Sequence, residues 1–123
     1  MSKRLDLGKI GEQRAKKILE AKNYKVLASN WRSKHLEIDL ICQFQDLIVF
    51  VEVKTRKSET FGLPEESVDK EKIKNLARAA EIYLETIDNN EQEIRFDIVS
   101  VLINENEEKI HHIEDAFFPG FMD

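Results

Sequence analysis

Apolar and polar positions divide this chain into two helical periods and several shorter runs of alternating character. Over residues 6–22, Leu7, Gly11, Ala15 and Ile18 recur at helical spacing, and Asp6 stands where an N-cap belongs. Gly8, Glu12, Ala15 and Leu19 also fall along one line of that helix, with two small residues suited to close packing. Glu12 borders the apolar face, so its carboxylate is expected to point toward whatever the helix covers. A second period runs over residues 67–87 through Ile73, Leu76, Ala77, Ala80 and Leu84, and Asp88-Asn89-Asn90 breaks it. Strands are expected over residues 24–32, 35–43, 47–54 and 93–103, with a short one near 110–113. Gln45-Asp46 is the expected hairpin turn, and residues 55–66, including Phe61-Gly62-Leu63-Pro64, read as a loop.

This order, αβββαβ, belongs to the α/β class. Three closely linked strands suggest an antiparallel meander, and the long second helix suggests a crossover into parallel pairing. The expected architecture is a single domain over residues 1–123: a mixed sheet of four to five strands flanked by helices. The apolar run at 47–53 fits a central strand covered on both faces.

Within this frame the charged residues of two strands stand out. The segments are His35-Leu36-Glu37-Ile38-Asp39-Leu40-Ile41 and Leu47-Ile48-Val49-Phe50-Val51-Glu52-Val53-Lys54. Simple alternation puts Leu36, Ile38, Leu40 and Cys42 on one face, and Glu37 and Asp39 on the other. On the next strand Phe50, Glu52 and Lys54 share a face opposite Val49, Val51 and Val53. Charges in the middle of a sheet are costly unless paired or bound to a metal. A divalent metal together with a phosphate would satisfy this set.

Composition narrows the class. The chain has 123 residues, 41% hydrophobic and 35% charged, which fits one folded domain. No apolar stretch approaches the length of a membrane span, and Met1-Ser2-Lys3-Arg4 opens no secretory segment, so a cytoplasmic home is expected. Cys42, the single cysteine, reads as a small buried hydrophobe. The net charge of −5 hides an asymmetry: residues 1–80 carry 17 basic against 12 acidic residues, and residues 81–123 carry 2 against 12. The basic part holds the Asp39, Glu52 and Lys54 set, as a phosphate-binding surface would require. Walker loops, Gly-x-Gly-x-x-Gly, Gly-x-Ser-x-Gly and Cys-x-x-Cys patterns are missing, which removes support for ATPase, dehydrogenase, serine-hydrolase and zinc-finger readings.

Phosphodiester hydrolysis accounts for these residue types. It needs a deprotonated water and neutralisation of charge on the phosphoryl oxygens. Asp39 and Glu52 are natural ligands for Mg²⁺ (or Mn²⁺), with the Val53 carbonyl as a third. Lys54 could orient the attacking water or neutralise the transition state, and Glu12 could hold a metal-bound water or a second ion.

The residues also carry a family resemblance. The Asp39, Glu52, Lys54 arrangement resembles the PD-(D/E)xK nuclease superfamily with its restriction-endonuclease-like core. The whole chain is similar to the small bacterial YraN-like family of predicted endonucleases. The matching segments are Gly8-Lys9-Ile10-Gly11-Glu12, Asn30-Trp31-Arg32, Glu37-Ile38-Asp39-Leu40-Ile41, Phe50-Val51-Glu52-Val53-Lys54-Thr55-Arg56, Phe61-Gly62-Leu63-Pro64, Arg95-Phe96-Asp97-Ile98-Val99 and His112-Ile113-Glu114-Asp115-Ala116-Phe117. The resemblance implies Asp39, Glu52 and Lys54 as a catalytic set, and Glu12 as the helix acid also used by archaeal Holliday-junction resolvases. The function expected is a metal-dependent endonuclease acting on DNA, including branched or structured DNA. The alternative is a nucleic-acid-binding protein that keeps the nuclease fold without turnover.

Arg56, Lys72 and Arg32 are the expected phosphate-positioning groups. Trp31 is expected in the core and His35 on the surface, with the rim of the site as its alternative place, while His111-His112 has no zinc-ligand spacing. Phe117, Phe118, Phe121 and Met122 are expected to cap the core, with a homodimer contact as the alternative.

Overall fold

A computed structural model describes residues 6–58, 68–87 and 93–117. Helix α1 (Leu7–Ala21) leads into β1 (Lys25–Ser33), β2 (Leu36–Phe44) and β3 (Leu47–Arg56). Helix α2 (Lys70–Thr86) follows, then β4 (Glu93–Ile103) and β5 (Glu108–Ile113). The five strands form one mixed sheet in the order β1-β2-β3-β4-β5, with β3 and β4 parallel and the other pairs antiparallel. The α/β class, the mixed sheet and the crossover through α2 are as the sequence predicts. β5 begins two residues before its expected start, β3 continues to Arg56, and α2 starts at Lys70 rather than at residue 67. Met1-Ser2-Lys3-Arg4, Phe61-Gly62-Leu63-Pro64, the Asp88-Asn89-Asn90 break, and Phe118, Phe121 and Met122 lie outside the described residues.

Local chemistry explains where the helices begin. The Asp6 carboxylate accepts hydrogen bonds from the Gly8 and Lys9 N–H groups, and Asp69 does the same for Lys72 N–H. Each satisfies donors that a helix start leaves unpaired. α1 buries Gly11, Ala15 and Leu19. Gly8, expected on that line, is exposed, and Gly11 takes the close-packing role instead. A Cβ at Gly11 would overlap Thr55 Oγ1, so only a glycine lets the helix approach β3 this closely. α2 buries Leu76, Ala79, Ala80 and Tyr83.

The helices cover opposite faces of the sheet, giving two core layers. Leu36, Ile38, Ile41, Ile48, Phe50, Phe96 and Ile98 pack with α2. Leu40, Cys42, Val49, Val51, Val99 and Val101 pack with α1. Cys42 is buried, as expected. Trp31 packs edge-on against Tyr83 at 5.7 Å between ring centroids, and Phe117 packs on Phe96 at 5.2 Å. Both are partly buried and pack against the core.

One expectation of face parity fails. Leu36 and Ile38 face α2, whereas Leu40 and Cys42 face α1. The alternation of β2 slips by one residue at Asp39. β1 slips at the facing position, because Ala28 and Trp31 both pack on the α2 side. The residues between them are Ser29 and Asn30, and Asn30 has a φ of +51°, a left-handed conformation in the middle of a strand. Ser29 pairs with Leu40 and Trp31 with Ile38, and the ladder lacks the rung between them, where Asn30 would meet Asp39. A left-handed residue rolls the strand about its own axis, and both strands roll together there.

Candidate active site

The slip places Asp39 where β2 parts from β3. The β2–β3 ladder runs from Phe44↔Leu47 to Leu40↔Val51 and stops before Asp39 would meet Glu52. In place of a backbone rung, Asp39 Oδ2 accepts a hydrogen bond from Val53 N–H at 2.8 Å. Glu52 follows Phe50 onto the α2 side and is only 4% exposed. Its Oε2 lies 3.4 Å from Lys54 Nζ and 3.3 Å from Lys72 Nζ. Lys54 comes from the same strand and Lys72 from the first turn of α2.

The two carboxyl groups bear directly on each other. Burial, then the charge of Glu52, pushes the Asp39 carboxyl up from 3.8 to about 7. The Val53 N–H opposes this, while a hydrogen bond shared with Glu52 and the charge of Glu12 add to it. Two neighbouring carboxyls in a half-buried site cannot both ionise freely. A proton relieves that repulsion, and so would a cation.

Glu12 reaches this region from α1. Asn30 Nδ2 donates to Glu12 Oε1 at 2.9 Å. Among the described residues, no group of three or more His, Cys, Asp and Glu side chains stands as a ready-made metal cage. What the fold assembles is a pair, Asp39 and Glu52, with Glu12 close enough for Asp39 to feel its charge. Such a pair fits Mg²⁺ or Mn²⁺, which take oxygen ligands; Mg²⁺ commonly binds through one or two carboxylates and keeps several waters.

The expected phosphate-positioning groups have different surroundings. Lys72 is held by the site's own carboxylate. Arg32 Nε pairs with Glu37 Oε2 at 2.8 Å across the β1–β2 hairpin, on an exposed surface. That pair gives Glu37 a partner of its own on the hairpin. Arg56 ends β3 and is partly buried. His35 is exposed in the β1–β2 turn.

A second charged cluster escaped sequence reasoning. Asp97 is fully buried on β4 and accepts two hydrogen bonds of 2.8 Å from Arg95. It also contacts His112 Nε2 at 2.7 Å and accepts from Asp115 N–H at 3.0 Å. His112 Nδ1 in turn lies 2.7 Å from Lys22 Nζ, which assigns the ring proton to Nε2. Arg95 donates to Tyr24 Oη. Burial alone would raise the Asp97 carboxyl, but His112, Arg95 and the Asp115 N–H hold it below the usual carboxylate range. Asp97 pairs with Val51 in register, and Val51 faces α1. The cluster therefore lies across the sheet from Glu52, tying the end of α1 to β4 and β5. His112 is thus a structural residue. The signal was available in Arg95-Phe96-Asp97-Ile98-Val99: an acid inside an apolar strand needs a partner.

Fold and site together define an α/β protein with a paired-carboxylate, two-lysine centre at the parting of two central strands. A family model described as "Uncharacterised protein family UPF0102" matches residues 11–101, and the chain belongs to this family. A UPF0102 protein of Syntrophomonas wolfei is 47% identical over 112 residues, covering 91% of this chain and 97% of its own. The UPF0102 protein FP2501 of Flavobacterium psychrophilum is 44% identical over 119 residues, covering 96% and 98%. Among solved structures, that of SSO0001 aligns at 18% identity with a TM-score of 0.39. It covers 93% of this chain and 52% of that one, too loose a match to support an argument. Among the described residues, no helix is long and apolar enough to cross a membrane.

Proposed function

We propose that this chain is a metal-dependent endonuclease with a restriction-endonuclease-like core, hydrolysing phosphodiester bonds in DNA of branched or otherwise structured form. One observation carries the reading: Asp39 and Glu52 crowd each other at the parting of β2 and β3, so that burial and repulsion push Asp39 up to about 7. A fold without a use for that pair would relieve the repulsion with an uncharged residue. The resemblance to PD-(D/E)xK nucleases and the basic bias of residues 1–80 support the same reading.

Asp39 and Glu52 would hold Mg²⁺ or Mn²⁺, with Glu12 binding through water. The cation, when bound, would lower the pKa of a water and offset phosphoryl charge. Val53 N–H fixes the orientation of Asp39. Lys54 and Lys72 bring positive charge to the place where a phosphate would sit.

The test is cleavage of branched, single-stranded and linear DNA by the purified protein with Mg²⁺ or Mn²⁺. Activity is expected to vanish in Asp39→Ala and in Glu52→Ala. Cleavage that persists unchanged in both variants overturns the reading. The second reading is a DNA-binding protein without turnover. It gains from the fact that Glu52 already has two lysine partners and so is neutralised without a cation. Salt-sensitive DNA binding with no cleavage under any divalent metal would select it.

A further inference from the structure

We infer that Asn30 is a positioning residue for this site: its side-chain amide holds Glu12 toward the Asp39–Glu52 pair, and its left-handed backbone opens the sheet opposite Asp39. The inference rests on the reading that this pair takes a divalent cation.

Three observations converge on Asn30. Its φ of +51° is unusual inside a strand, and asparagine is one of few residues that bear it. Between Ala28 and Ser33, beyond the bulge at Leu27, the rung it would share with Asp39 is the one missing from the β1–β2 ladder. Its amide donates to Glu12 at 2.9 Å, across the gap between β1 and α1. The backbone and side-chain features of one residue thus serve the two acids, Asp39 and Glu12, that come from different elements.

The side-chain contact has a physical purpose. Glu12 is a long side chain on a helix surface, and fixing a free glutamate costs rotamer entropy. A hydrogen bond to its charged carboxylate offsets that cost before any cation arrives. Partners of this kind typically change metal affinity about 10- to 100-fold.

The test is Mn²⁺ titration by calorimetry on DNA-free wild type, Asn30→Gly, Glu12→Gln, the double variant and Asp39→Asn. Glycine keeps the left-handed backbone and deletes only the amide. We expect Asn30→Gly to weaken Mn²⁺ binding about tenfold. The double variant should bind no more weakly than Glu12→Gln alone, because Asn30 acts through Glu12. Fully additive losses overturn the inference, as does unchanged affinity in Asn30→Gly. If Asp39→Asn abolishes binding while Asn30→Gly does not weaken it, the Asn30 role alone fails. If wild type binds no Mn²⁺, the metal reading and the Asn30 role fall together. NMR of the unmutated Asn30 side-chain amide supplies a second readout. Its resonance should shift on Mg²⁺ addition and again in Glu12→Gln, and a resonance insensitive to both also overturns the role.

Discussion

Replacing Asp39 by asparagine should stabilise the protein at alkaline pH while abolishing the DNA cleavage proposed for it. In the folded chain the Asp39 carboxyl is raised from 3.8 to about 7. The folded state therefore holds its proton more tightly than the unfolded state between those values. Wild-type stability is then lost as pH climbs through that window and levels off above about 7. The gap corresponds to about 4 kcal/mol at most, at about 1.4 kcal/mol per pH unit. Because the charge of Glu52 is one source of the shift, this figure belongs to the contact between the two side chains and not to Asp39 alone. An asparagine keeps an oxygen for Val53 N–H but carries no charge to bury. Urea unfolding, followed by fluorescence of the single tryptophan Trp31, measures the difference. In EDTA the two proteins should be matched near pH 4, and Asp39→Asn should lead by up to about 4 kcal/mol at pH 8. Added Mn²⁺ at pH 8 should stabilise wild type and leave the variant unmoved. Stability curves that run parallel from pH 4 to 8 would refute the crowding on which the site reading depends.

Three further outcomes are expected. Lys72→Met frees one side of Glu52, so Mn²⁺ should bind about 3- to 10-fold more tightly while DNA binding weakens, read by calorimetry and by fluorescence anisotropy. Gly11→Ala would improve helix propensity by about 1 kcal/mol, yet its Cβ meets Thr55. The net result should be a loss of about 1–3 kcal/mol by urea unfolding, because α1 must lift off β3. Asp97→Asn removes the buried carboxylate that Arg95 and His112 share, leaving Arg95 only its longer 3.6 Å pair with Glu114, and should cost about 3 kcal/mol at pH 7. The Asp97 carboxyl is held low in the fold, so the stability it confers is present above its ordinary range and is lost as pH falls. The Asp97→Asn deficit should therefore shrink on acidification.

The sequence by itself determined the class of fold and singled out Asp39 and Glu52 as charges set in apolar strands. Periodicity is a local property, so two helices, the three-strand meander and the parallel crossover could be read from spacing alone. The acids of Asp39 and Glu52 could be singled out because charges on apolar strands demand partners. What spacing could not supply was the slip at Asn30 and Asp39. Alternation assumes an unbroken strand, and the only warning was an asparagine, a residue common in ordinary strands' turns and caps. Likewise Lys72 on Glu52, Gly11 against Thr55 and the Asp97 cluster join residues far apart in the chain. Those contacts exist only once helices have docked on the sheet. Pair distance, not pattern, decides which charge meets which, and that is set by tertiary packing.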